Sequence, residues 1–178
     1  FHKVGTPQSE DELVFRNDDE PNRYHFCGTT EDGHYVVLNT STGTDGNSLH
    51  VKSLKGEGTD WMPLVEGFTH HSSLVEHVNG ALYMLTDIDA PRYRLVAADP
   101  SDPSNTSLWR DVLPESEDLL ESVSVVGGQL WAIYLHNASN RVVRCDLDGS
   151  NPRVVSLPSE VGSVGGFGGK MEATELYY

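Results

Sequence analysis

Chemistry in a protein starts from a short list of side chains, and this chain offers few of them in a productive spacing. Ser163 stands in Gly162-Ser163-Val164-Gly165. A nucleophile elbow needs Gly-x-Ser-x-Gly, so that the serine is thrust out on a sharp turn, and glycine beside the serine breaks that spacing. Gly168-Gly169-Lys170-Met171 lacks the earlier glycine of a phosphate-binding loop, since position 164 is Val, and Met171 has no hydroxyl for magnesium. Both stretches read as glycine-rich strand and turn. His70, His71 and His77 are close in sequence, but no His/Cys/carboxylate spacing supplies the convergent ligands of a zinc centre. Asp146-Leu147-Asp148-Gly149 opens like a calcium loop, yet Leu157 occupies the place of the bidentate glutamate, so a turn is expected. No catalytic residue, metal site or cofactor is predicted within the chain.

Charge narrows the partners. Acidic residues number 27 against 12 Lys plus Arg, a formal charge of −15 over 178 residues. Affinity for phosphate backbones rests on Lys/Arg neutralisation, so a nucleic-acid partner is not expected, nor is an anionic membrane surface. The acidic runs Glu10-Asp11-Glu12 and Asp18-Asp19-Glu20 read as solvated rim. Cys27 and Cys145 are 118 positions apart with no CxxC, which argues against a disulfide framework. A reducing, cytoplasmic setting is the expectation, with a periplasmic or secreted one left open. Sequons at Asn39, Asn105 and Asn137 would matter only in the secreted case. The longest stretch free of charged residues, 122–140, alternates in polarity and carries Gly127-Gly128, as two strands and a turn would.

The elements that must position these residues show themselves as a repeat. Gly33-His34-Tyr35-Val36-Val37-Leu38 recurs as Gly80-Ala81-Leu82-Tyr83-Met84-Leu85 and as Gly128-Gln129-Leu130-Trp131-Ala132-Ile133, at glycine spacings of 47 and 48. Leu176-Tyr177-Tyr178 begins a fourth copy, and Trp61 and Trp109 lie 48 apart. The runs are rich in Val, Leu, Tyr and Trp, and the breaks are turn-formers such as Asn79-Gly80 and Asp148-Gly149. Four short strands at a period of about 40–50 residues are the signature of a β-propeller blade. A β-sandwich shares the strands and turns but has no reason to repeat Gly-x-aromatic and Trp at this period.

The sequence therefore predicts an all-β chain forming part of a propeller. A half blade occupies residues 1–18, full blades occupy 19–66, 67–115 and 116–158, and a second half blade occupies 159–178. Rings of blades close on themselves, so this register reads as a segment of a larger domain. Unpaired edges at both ends predict self-association.

Three stretches carry a family likeness. Phe1–Phe15 resembles part of the prolyl oligopeptidase propeller. Asp87-Ile88-Asp89-Ala90-Pro91-Arg92-Tyr93-Arg94-Leu95 is similar to that family's Thr-Asn-x-x-Ala-Pro-x-Tyr-Arg-Leu strand start. Val161–Phe167 followed by Thr174–Tyr178 resembles the same family further along. The first stretch would also suit the related oligopeptidase B, whereas the other two lean to the prolyl enzymes. The resemblance implies a seven-bladed propeller covering an α/β-hydrolase domain, which cleaves short peptides after proline with a Ser-Asp-His triad and is absent from this chain. It implies that the propeller keeps folded proteins from the buried site. It also implies substrate contacts at Tyr24, Ser41 and Thr44, where the family places an apolar residue, an Arg and a Cys. Tyr24 could stack on a substrate ring, while Ser41 and Thr44 depart from the charged and thiol types. A free-standing propeller serving as a protein-binding scaffold is the other reading of the same repeat.

Overall fold

The computed structural model describes residues 1–56, 60–159 and 161–178. The first sheet is a meander of β1 (Tyr24–Thr29), β2 (Tyr35–Ser41), β3 (Asn47–Ser53) and β4 (Met62–Val65). The second contains β5 (Ser72–Val78), β6 (Ala81–Thr86), β7 (Arg94–Ala98) and β8 (Arg110–Leu113). The third contains β9 (Leu119–Val126), β10 (Gln129–His136), β11 (Ser139–Asp146) and β12 (Arg153–Val154). All pairings are antiparallel between neighbours in sequence. This is a partial propeller, as the period predicts. Trp61 and Trp109 each stand just before the fourth strand of their sheet rather than inside it.

The hairpins form where the turn chemistry requires. Between β9 and β10, Gly127 and Gly128 both take positive φ, 62° and 72°. Asn79 and Gly80 do the same between β5 and β6, at 49° and 82°. Two successive residues at positive φ give the turn whose twist matches the flanking strands.

Strand alternation then assigns each face a neighbour. On β6, Leu82 and Met84 pack with Leu49, Val51 and Leu64 of the first sheet. The intervening Tyr83 and Leu85 pack with Leu120, Val125, Leu130 and Cys145 of the third. The middle sheet is thus apolar on both faces, which is why β6 reads as a continuous hydrophobic run and not as an alternating one. A smaller cluster joins Ile133 and Val142 of the third sheet to Phe167 of the tail.

The two ends carry less regular structure than the three sheets between them. Residues 1–23 contain a 3-10 turn at Gln8–Glu10 and no strand. The Glu12 N–H donates to the Phe1 carbonyl at 3.0 Å, a single backbone bond between these two segments. In the tail, Gly168 and Tyr177 form an isolated antiparallel bridge. A ladder needs flanking strands on which to bond, and each terminal unit in this chain has two segments where a full blade has four.

Candidate functional site

Register places the start of each first strand beside the end of each second strand. Tyr24 lies opposite Ser41, Ser72 opposite Thr86, and Leu119 opposite Leu135. These ends form one rim of the fan of sheets, and the β1–β2 type turns form the other.

On the first rim the structure brings together two of the three expected substrate contacts. Tyr24 is 62% exposed and faces Ser41 across the ladder. Thr44 is exposed in the loop that follows β2. The base of this loop is fixed. Asn47 donates its backbone N–H to the His70 carbonyl at 2.9 Å and its side-chain amide to the Ser72 carbonyl at 2.8 Å. Ser72 N–H returns a bond to Asn47 Oδ1 at 3.0 Å. Gly46, at φ 154°, lies so near the next blade that a Cβ there would meet His70 N and O at 2.6 Å. The loop is therefore clamped to the second blade while its tip stays open. Arg23, next to Tyr24, stacks its guanidinium on Phe68 at 4.9 Å and pairs with Glu20 at 3.2 Å.

The same rim carries groups that single-position reading passes over. His70 Nδ1 is 3.1 Å from Asp87 on the second blade. His136 Nδ1 is 2.8 Å from Asp118 on the third, with Arg141 at 3.6 Å from the other carboxylate oxygen. Superposing the repeats would have revealed them, because Asp118 falls 48 after His70 and His136 falls 49 after Asp87. The two blades carry the same His–Asp contact with its partners exchanged. Beside it, His136, Asn140, Arg141, Val155 and Leu157 line an open cavity of about 480 Å³.

On the opposite rim the fold brings together three potential ligand residues that their spacing in the sequence does not join. Asp32 and His34 lie in the turn after β1, and His77 lies near the end of β5. Folding places one ligand atom of each within 4.8 Å of the others. His34 Nδ1 and His77 Nδ1 approach the same oxygen, Asp32 Oδ2, at 2.8 and 2.6 Å. Asp32 Oδ1 accepts bonds from Thr30 Oγ1 at 2.7 Å and from the His34 backbone N–H at 3.0 Å. Burial works to raise the Asp32 carboxyl pKa, but the bonds from His77, Thr30 and His34 outweigh it and hold the group well below the usual carboxylate range. Sequence reasoning missed this cluster because 45 residues separate His77 from Asp32.

The family model described as the prolyl oligopeptidase N-terminal beta-propeller domain matches residues 1–178. A prolyl endopeptidase of Elizabethkingia meningoseptica is 37% identical over the whole chain, which spans 25% of that protein. Among solved structures, a prolyl endopeptidase superposes with a TM-score of 0.89 at 30% identity, over 98% of this chain and 25% of that one. Apo prolyl oligopeptidase B from Galerina marginata superposes at 0.86 and 26%, with the same coverage. The chain thus spans about a quarter of the proteins it matches. Those matches, the 47–48 repeat and the three packed meanders agree: the chain belongs to the prolyl oligopeptidase family, as part of its N-terminal β-propeller domain.

Proposed function

We propose that this chain is part of the gating propeller of a serine-type endopeptidase that cleaves short peptides after proline. The observation that carries this reading is the 37% identity to a prolyl endopeptidase across all 178 residues. Its partner is an α/β-hydrolase domain of the same polypeptide, which supplies the triad, and its ligands are proline-containing peptides. The propeller's part is to filter access by size and to lend side chains to the substrate. Tyr24 offers an exposed ring for stacking, Ser41 sits across the ladder from it, and Thr44 adds a hydroxyl at the clamped loop. With no Arg at Ser41 or Thr44, this subsite recognises shape and hydrogen bonds rather than charge. The exposed thiol of Cys27 suits a reducing, cytoplasmic setting. Among the described residues no helix is long and apolar enough to cross a membrane.

The test compares the full-length protein with this chain alone. A proline-specific chromogenic peptide should be cleaved, and a covalent serine-hydrolase probe captured, by the first and not by the second. Failure of the full-length protein to react with either would overturn the reading. In the full-length enzyme, Tyr24→Ala should raise KM with little change in kcat.

A further inference from the structure

We propose that Asp32, His34 and His77 form a binding site for a divalent transition-metal ion, with Zn²⁺ as the reference case, that joins the first two blades. Two imidazole nitrogens and a carboxylate oxygen are a borderline donor set, suited to Zn²⁺, Co²⁺ or Ni²⁺ and poorly suited to the all-oxygen preference of Ca²⁺ and Mg²⁺.

The geometry is close to what such an ion needs. Tetrahedral ligation at about 2.0 Å puts neighbouring donors about 3.3 Å apart. The two His–Asp separations are 2.8 and 2.6 Å, so each must widen by about 0.5–0.7 Å to admit the ion. Ring rotation supplies that without moving a strand. Without an ion, each ring must carry its proton on Nδ1 to donate to the shared oxygen. When the ion enters, each neutral ring carries its proton on Nε2 instead and turns the Nδ1 lone pair inward.

Supporting contacts hold the donors in place. Thr30 and the His34 backbone fix Asp32 Oδ1, leaving Oδ2 aimed at the rings. His77 is held edge-on against Tyr35, with ring centroids 5.0 Å apart, and against His34 at 5.2 Å. The His77 side chain is 12% exposed and that of His34 is 41% exposed, so the cluster is anchored on one side and open to ion and water on the other. Glu31 and Glu76 flank it, with the Glu31 backbone N–H bonded to the Glu76 carboxylate at 3.0 and 3.2 Å, and add to the attraction for a cation. Lys55, whose ammonium bonds the Asp32 carbonyl at 2.7 Å, is the opposing charge. Because two donors come from the first blade and one from the second, the ion would staple them.

The intact protein carrying this chain, stripped with a chelator and desalted, is titrated with Zn²⁺ by calorimetry and with Co²⁺ by visible absorption. Wild type should bind one equivalent that His34→Gln and Asp32→Asn each weaken by about tenfold or more, while His136→Gln leaves it unchanged. Saturating Zn²⁺ should raise Tm in wild type and not in His34→Gln. His77→Gln should also lose the equivalent, and if that variant misfolds, the exposed His34 position carries the test. Absence of a stoichiometric equivalent in wild type, or one that survives both His34→Gln and Asp32→Asn, would overturn the proposal and leave a hydrogen-bonded clamp. None of these readouts depends on peptidase activity.

Discussion

The two cysteines separate into opposite environments despite sharing one fold. Cys27 lies on the exposed strand β1, whereas Cys145, 1% exposed, sits among Tyr83, Leu130 and Ala132. Burial, followed by the nearby Asp146 and Asp148 charges, pushes the Cys145 thiol from 9.0 up to about 11. Only the thiolate is nucleophilic, so burial and the raised pKa act together against reaction. A thiol reagent at pH 8 should therefore titrate Cys27 in the native chain and both thiols after denaturation; rapid modification of Cys145 in the native state would contradict this. The same shift has a stability consequence. The folded state keeps its thiol proton where the unfolded chain has lost it, so folding is unaffected below about pH 9 and weakens as pH rises from there towards 11. Cys145→Ala should lessen that alkaline loss in a chemical-denaturation series.

Hairpins and sheets were largely legible as elements, because each depends on residues within one repeat. Asn79-Gly80 and Gly127-Gly128 adopt the positive φ values that their composition demands. The family stretch at 87–95 is more subtle. Asp89 and Tyr93 take positive φ, 54° and 63°, on either side of the fully buried Ala90, and β7 starts at Arg94. What the repeat could not show is whatever one blade does to the next. The expected subsite at Tyr24, Ser41 and Thr44 was placed by likeness, but the clamp that fixes its loop uses Asn47 and Ser72, 25 residues apart on different blades. The Asp32–His34–His77 cluster is hidden for the same reason. Asn47 gives this level its test. Its side chain is buried and bonds both ways to the Ser72 backbone, so Asn47→Ala leaves a buried N–H and C=O unpaired. That should cost about 1–3 kcal/mol per orphaned group in denaturant unfolding. If the variant retains wild-type stability, the clamp is not what holds the loop.

At the scale of the whole molecule, what each sheet lacks follows from what the middle sheet has. The second sheet is covered on both faces, by Leu49, Val51 and Leu64 on one side and by Leu120, Leu130 and Cys145 on the other. The first sheet has the second sheet on one side only; on its other face Val36 and Leu38 are buried and Phe15 of the N-terminal segment packs edge-on against His25 and Trp61. Its edge strand β1 leaves Tyr24 and Phe26 at 62% and 65% exposure, and Tyr177 and Tyr178 at the far end of the fan are 69% and 68% exposed. In the chain expressed by itself they face water, and apolar side chains beside strand edges are templates for association. The formal charge of −15 opposes contact between copies, but at physiological salt it is screened over about 8 Å, whereas buried apolar contact is not. Sedimentation of the isolated 178-residue chain should therefore show dimers or larger species, more strongly as salt is raised, and Phe26→Ser should shift the distribution toward monomer. A monodisperse monomer at all salt concentrations would mean that the exposed faces at the two ends of the fan protect themselves, for instance by pairing 1–18 with 159–178 into a smaller ring.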